Sequence, residues 1–308
     1  MSSVRLMMTS PLPSTHKVLV AFVFGVLFVA SQGFKVAQFD YKARGPSTWW
    51  FFHPEQCDDL LFPLQSPIEL NSTFNQYDIL LNEELEFSNG QTPPKSLELF
   101  NDGTTLLMRP NYPEGKRPIL TGGPLIPFRK YQLDHMIWHW GEDDSNGGEH
   151  VIDGVSAPME LQLVFTNLIY PDFDEAGRSE DGLVILAIQF EIDDSMKNDK
   201  LRLYDKVLRS LRKSGNRIQI EASGLPSLRD LTNVVDFGEY FAYHGSLTRP
   251  PCFNTVQWIV LKNKVNIHPS QVSSFRALKG FDGQPMTRNW RPIQHQNHRT
   301  IVFKGPVV

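Results

Sequence analysis

Eight segments of this chain either alternate apolar and polar residues with a period of two or run rich in β-branched and aromatic side chains. They cover residues 80–88, 96–101, 104–109, 131–141, 159–167, 182–192, 217–222 and 255–267. Most are cut off by turn formers, as at Asn101-Asp102-Gly103 and Gly122-Gly123-Pro124. A period of two is the repeat of a strand, so a chain patterned this way is confined to a β-rich fold. Helical spacing is found mainly over residues 200–213, where Leu201, Tyr204, Leu208 and Leu211 form an apolar stripe expected in the core. A shorter helix is expected over 270–278. With 308 residues, 41% of them hydrophobic, and no linker, charge run or repeat between 40 and 304, the material suits one large domain. Its 30 basic and 34 acidic residues are interspersed, which argues against nucleic acid as the main partner.

The start of the chain has a different character. Arg5, His16 and Lys17 precede an apolar run over 18–30, and Ser31, Gln32 and Gly33 follow it. That run has the length of a secretion signal core and falls short of the ~20 residues of a spanning helix. The expectation is a signal peptide over 1–33, cut after Gly33 or a few residues earlier, and a single domain over 34–308. No second apolar run appears, so no stable membrane anchor or C-terminal lipid signal is expected. In the extracellular compartment this implies, the only two cysteines, Cys57 and Cys252, are expected to be bonded, with two buried thiols as the alternative. Asn71-Ser72-Thr73 is an N-glycosylation sequon.

Within 133–141, alternation puts His135, Ile137 and His139 on one face and Met136, Trp138 and Trp140 on the other. Glu160 and Gln162 share a face of the next strand. Polar groups are thereby gathered on one side of two neighbouring strands.

An ordered set of motifs resembles the α-carbonic anhydrase family over nearly all of the chain after the signal segment. Gly45-Pro46 with Trp49, then Gln65-Ser66-Pro67-Ile68, come first. Gly122-Gly123-Pro124-Leu125 and Tyr131-Gln132-Leu133 lead into His139-Trp140-Gly141, and Glu149-His150, Asp153-Gly154 and Glu160 follow. Gly182-Leu183, Tyr243, Gly245-Ser246-Leu247-Thr248, Pro250-Pro251-Cys252, Trp258-Ile259-Val260-Leu261 and Asn289-Trp290-Arg291-Pro292 complete the order. The resemblance implies a large, mostly antiparallel twisted β-sheet with peripheral helices and a central conical cleft. It also implies a Cys57–Cys252 disulfide, worth up to roughly 5 kcal/mol in the chain-entropy model and less in practice.

In that family three histidines hold a zinc ion, and here their positions read Ile137, His139 and Gln162. Ile137 offers no lone pair and the Gln162 amide is a weak donor beside a single imidazole, so no metal is expected, His139 being the only retained ligand. Zinc lowers the pKa of bound water from 15.7 to about 7, and losing that shift removes about 12 kcal/mol of differential stabilisation. The proton-shuttle position reads Thr104, and the substrate loop carries a bulky cation at Arg249. By the same resemblance Val164, Ile185, Leu247, Val256 and Trp258 belong to the pocket, with Ile185 narrowing it. Thr248 and Glu149 match a pair that orients the zinc-bound hydroxide, and Glu160 matches the carboxylate behind the third histidine. Either these polar groups persist because they satisfy one another, or they hold a water or small anion near Arg249. His135 is expected to be a hydrogen-bonded core histidine, with a two-histidine site beside His139 as the other reading.

The function expected is that of a catalytically inactive, secreted carbonic anhydrase-related protein that recognises an extracellular protein partner and needs no cofactor. Two alternatives accompany it. One is a residual carbonate dehydratase with zinc in a rebuilt site around His135, His139 and Glu149. The other is a small-anion binder using Arg249 and Thr248.

Overall fold

The strand Tyr131–Trp140 is buried along most of its length, and the main sheet is assembled around it. The structure, a computed structural model, describes residues 39–73, 84–195, 197–221, 225–232 and 238–305. The expected signal segment and the first residues of the expected 80–88 strand lie outside the described residues. Across the main sheet the order is Arg217–Glu221, Ser96–Asn101, Leu106–Asn111, Tyr131–Trp140, Met159–Asn167, Leu183–Ile192, Val256–Leu261, Tyr240–Gly245 and Ile301–Lys304. Neighbours on this path run antiparallel, except that Val256–Leu261 lies parallel to Leu183–Ile192. This is the large, mostly antiparallel sheet expected, with short helices such as Phe173–Arg178, Arg202–Val207 and Pro269–Arg276 around it.

Alternation decides what each face of the sheet buries. Met136, Trp138 and Trp140 join Leu161, Leu163, Leu186 and Ile188 in one apolar cluster. Ile137, Val164, Ile185 and Ala187 belong to a second cluster, which also contains Trp258. Burying side chains of this size contributes about 1.5–3 kcal/mol each, so a one-residue slip of the central strand would be strongly opposed.

Several elements differ from expectation for local reasons. The helix expected over 200–213 is a 3₁₀ turn, Asp199–Leu201, followed by Arg202–Val207, yet Leu201, Tyr204, Leu208 and Leu211 are all buried. The apolar stripe marked packing, while turn structure takes over before Ser214-Gly215. The segment 255–267 is two strands, Val256–Leu261 and Val265–Ile267, parted by the polar Lys262-Asn263-Lys264. The strand expected from residue 104 starts at Leu106, because Asp102 Oδ1 accepts from the amides of Thr104 and Thr105, both at 2.8 Å, and holds them in the turn. Gly103 sits in that turn at φ 90°, a conformation costly for a residue with a side chain.

The N-terminal part of the domain is fastened to the sheet by aromatic packing and by one covalent link. Trp49 is fully buried, with the rings of Phe39 and Tyr41 each 5.4 Å away edge-on, and the Arg291 guanidinium lies 5.6 Å over its indole. Cys57, at the end of the short helix Pro54–Cys57, is disulfide-bonded to Cys252, with Cα atoms 5.2 Å apart. Among the described residues no helix is long and apolar enough to cross a membrane. The bond closes a separation of 195 residues, so its main effect falls on the unfolded chain. Replacing both cysteines, Cys57→Ser with Cys252→Ser, is expected to lower unfolding free energy by about 2–4 kcal/mol in urea titrations. An unchanged midpoint would mean that aromatic packing alone holds this segment.

Candidate functional site

Two paired strands carry the residues singled out in the sequence. In the register of Tyr131–Trp140 against Met159–Asn167, His135 lies opposite Val164, Ile137 opposite Gln162 and His139 opposite Glu160. A cleft of about 510 Å³ opens over them. Ile137, Gln162, Val164 and Ile185 line it from the sheet, and Leu247, Thr248 and Arg249 line it from the following loop.

Beneath this surface lies a polar network with no exposure to solvent to speak of. The Gln162 amide nitrogen donates to Glu149 Oε2 at 2.7 Å and to Glu160 Oε1 at 3.0 Å. Both bonds use the NH₂ end of the amide, so the carbonyl oxygen is the one lone-pair donor Gln162 has left. His139 Nδ1 lies 2.7 Å from the Asn289 carbonyl and 3.2 Å from Glu149 Oε1. Both neighbours are acceptors, which puts the imidazole proton on Nδ1 and the lone pair on Nε2. That Nε2 is buried and makes no hydrogen bond among the described residues. Burial, opposed by the Asn289 bond, pushes the His139 pKa down to about 4, so the ring is neutral at physiological pH.

The two acids are held in different states. Burial, then the nearby Glu160 charge, pushes Glu149 up to about 8 despite hydrogen bonds from Thr248, the Arg291 amide and Gln162. Burial would raise Glu160 as well, but the charge and hydrogen bonds of His150 overcome it and hold the carboxyl at about 2. His150 Nδ1 is 3.0 Å from Glu160 Oε1, its backbone amide donates to Oε2 at 3.0 Å, and its Nε2 lies 2.7 Å from the Tyr243 hydroxyl. Gln189 adds a donor to the His150 carbonyl at 2.5 Å.

The other expected site residues divide by where the sheet puts them. His135 lines the cleft, with Nδ1 2.6 Å from Asp134 Oδ2, and burial lowers its pKa against that partner. Thr104 is buried outside the cleft lining, its hydroxyl donating to Asp102 Oδ1 at 2.8 Å. Arg249 NH1 reaches the other oxygen of Asp102 at 3.2 Å. Val256 and Trp258 are fully buried in the apolar cluster that also holds the cleft residues Ile137, Val164, Ile185 and Leu247. Their strand lies one place beyond Leu183–Ile192 in the sheet, with Trp258 the Cα partner of the cleft-lining Ile185. Trp258 donates to the Ser246 carbonyl at 3.0 Å and packs 4.8 Å from His150. Cys57 and Cys252 are joined as expected, and Asn71 is partly exposed beside the strand Glu69–Leu70.

Three contributors carried no expected role. Asp134 reaches the cleft because the register shifts between Leu133 and His135, a bulge that breaks the alternation used to assign faces. Arg109 lines the cleft from the strand Leu106–Asn111. Asn289 fixes the strand end: its Oδ1 accepts from the Trp140 amide at 2.7 Å, while its backbone oxygen accepts from His139. His150 and Asn289 both stand inside motifs quoted above, so their presence was legible and their contacts were not.

Positions 137, 139 and 162 thus bring together an alkyl chain, one imidazole lone pair and one amide carbonyl. Among the described residues no group of three or more His, Cys, Asp or Glu side chains is placed to hold a metal ion.

A family model for eukaryotic-type carbonic anhydrases matches residues 44–305. Carbonic anhydrase 15 of Mus musculus is 31% identical over 263 residues, covering 83% of this chain and 79% of its own. Carbonic anhydrase 3 of Sus scrofa is 31% identical over 268 residues, covering 84% and 94%, and carbonic anhydrase 1 of Oryctolagus cuniculus 29% over 242 residues, covering 77% and 97%.

Proposed function

Because the chain belongs to the eukaryotic-type carbonic anhydrase family, we propose that it is a member without zinc chemistry, acting as a secreted binding or recognition protein. The donor set carries this reading. A catalytic zinc takes about three protein ligands and keeps a position open for water. Ile137 has no lone pair, and the Gln162 amide nitrogen is committed to two carboxylates. The remaining imidazole, on His139, is fully buried and stands outside the cleft lining. These residues do not fit the ion. What remains is a buried polar network under a cleft, on a scaffold whose surfaces can recognise an extracellular protein. The apolar run over 18–30 and the Cys57–Cys252 bond support secretion, with the Asn71 sequon as a glycosylation site.

One observation favours a second reading. The His139 Nε2 lone pair is buried without a partner among the described residues, an arrangement that a metal would satisfy. A residual carbonate dehydratase would then hold zinc through His139 and ligands of unusual kind.

Elemental analysis after dialysis against zinc-containing buffer, paired with a carbon dioxide hydration assay, separates the two. Less than about a tenth of an equivalent of zinc and no hydration above background is the expected result. Stoichiometric zinc with hydration that a chelator removes would overturn the proposal and leave the second reading in its place.

A further inference from the structure

Two cationic side chains of the cleft lining have donors to spare. Arg109 projects from the strand Leu106–Asn111 into the lining and has no hydrogen bond or ion pair among the described residues. Arg249 gives one nitrogen to Asp102, and a guanidinium has five N–H donors. Both guanidiniums line the same cleft. The acids of the lining are placed differently. Asp134 is taken up by His135 at 2.6 Å, Asp172 caps the helix Phe173–Arg178 by accepting from the Glu175 amide at 2.9 Å, and Asp174 is exposed at the lip. A ligand that answers these guanidiniums must bring acceptors.

Apolar groups share this lining. Ile137, Val164, Ile185 and Leu247 present alkyl groups to the same cleft. At about 510 Å³ the space is of the size that encloses a small organic molecule, far larger than an inorganic anion needs.

We propose that the cleft binds amphipathic monocarboxylates, with Arg109 and Arg249 taking the carboxylate and the apolar floor taking the body of the molecule. Planar, bidentate recognition of a carboxylate is the geometry guanidinium serves best. The acidic lip disfavours ligands of higher negative charge, and the unanswered donors disfavour uncharged ones. The proposal rests on the non-catalytic reading above, as it names what the cleft would hold in place of a reaction.

Isothermal calorimetry on the secreted chain with benzoate, benzyl alcohol and bicarbonate as probes tests it. Benzoate is expected to bind saturably, with the other two at least about tenfold weaker. Arg109→Gln and Arg249→Gln should each weaken benzoate about tenfold, Arg109→Gln with little change in melting temperature because Arg109 is exposed and has no partner to lose among the described residues. Bicarbonate binding as well as benzoate, or benzoate affinity untouched in both variants, would overturn it. Zinc content measured on the same preparation separates the two ideas. A metal-free protein silent to benzoate overturns this proposal alone, whereas stoichiometric zinc overturns the non-catalytic reading and this proposal with it.

Discussion

The double variant Ile137→His with Gln162→His is expected to take up close to stoichiometric zinc, where the parent takes up less than about a tenth of an equivalent. Positions 137 and 162 are Cα partners across two strands, and His139 follows on the same face as Ile137. The His139 ring is already oriented, with Nδ1 on the Asn289 carbonyl at 2.7 Å and the Nε2 lone pair unspent. Glu160 already accepts a hydrogen bond from the side chain at 162, at 3.0 Å, so an imidazole there would find the carboxylate that metal-bound histidines commonly use. Each single variant supplies only two imidazoles and should remain nearly empty. Hydration should return weakly in the double variant, because Arg249 stands next to Thr248 and the Thr104 hydroxyl is tied to Asp102. Elemental analysis and the hydration assay read both effects. A double variant as empty as its parent would mean that the two strands no longer place three imidazoles around one point.

Why some of this was readable and some was not follows from what side-chain patterns encode. The face shared by His135 and Ile137 was legible because the backbone of an extended chain allows only two directions. Asp134 escaped because a bulge one residue wide turns that parity over, and nothing in Leu133-Asp134-His135 announces it. Alternation also names the face of a strand but not its distance from the cleft, so it could not place Val256 and Trp258, one strand beyond the cleft-lining Ile185. The helices Trp49–Phe52 and Pro54–Cys57 are a single turn each, too short for a 3.6-residue period to register. The expectation of a lost zinc site, by contrast, needed no geometry, since the chemistry of Ile and Gln is fixed by their composition. What the structure adds is the use of Gln162, whose amide bridges two buried acids that would otherwise face each other.

Those acids make stability depend on pH in a pattern that unpaired surface carboxylates would not produce. Between pH 4.5 and 6.5 the contributions of Glu149 and His139 are expected to cancel, leaving a shallow rise from His135, whose pKa burial also lowers, with unfolding free energy falling on either side. Glu160 has its folded pKa depressed to about 2 from 4.5, so its contribution is full above 4.5 and is lost as pH falls towards 2. That loss is about 3 kcal/mol at 1.36 kcal/mol per unit. Glu149 has the opposite sign: raised from 4.5 to about 8, it contributes fully below 4.5 and loses that contribution as pH rises to 8. His139, lowered by burial from 6.5 to about 4, gains stability with pH over 4 to 6.5 and so offsets Glu149 within that window. Above 6.5 the offset ends, and Glu149 alone should cost about 2 kcal/mol by pH 8. Thr248 makes the protonated state of Glu149 tenable, since its hydroxyl can turn from donor to acceptor. Urea unfolding at intervals from pH 3 to 8.5 reads the whole curve. Glu149→Gln should abolish the alkaline fall and, with His139 no longer offset, make stability rise more steeply from 4.5 to 6.5. An alkaline limb that survives this substitution would mean that Glu149 is ionised at neutral pH, and that the four donors around it outweigh its burial.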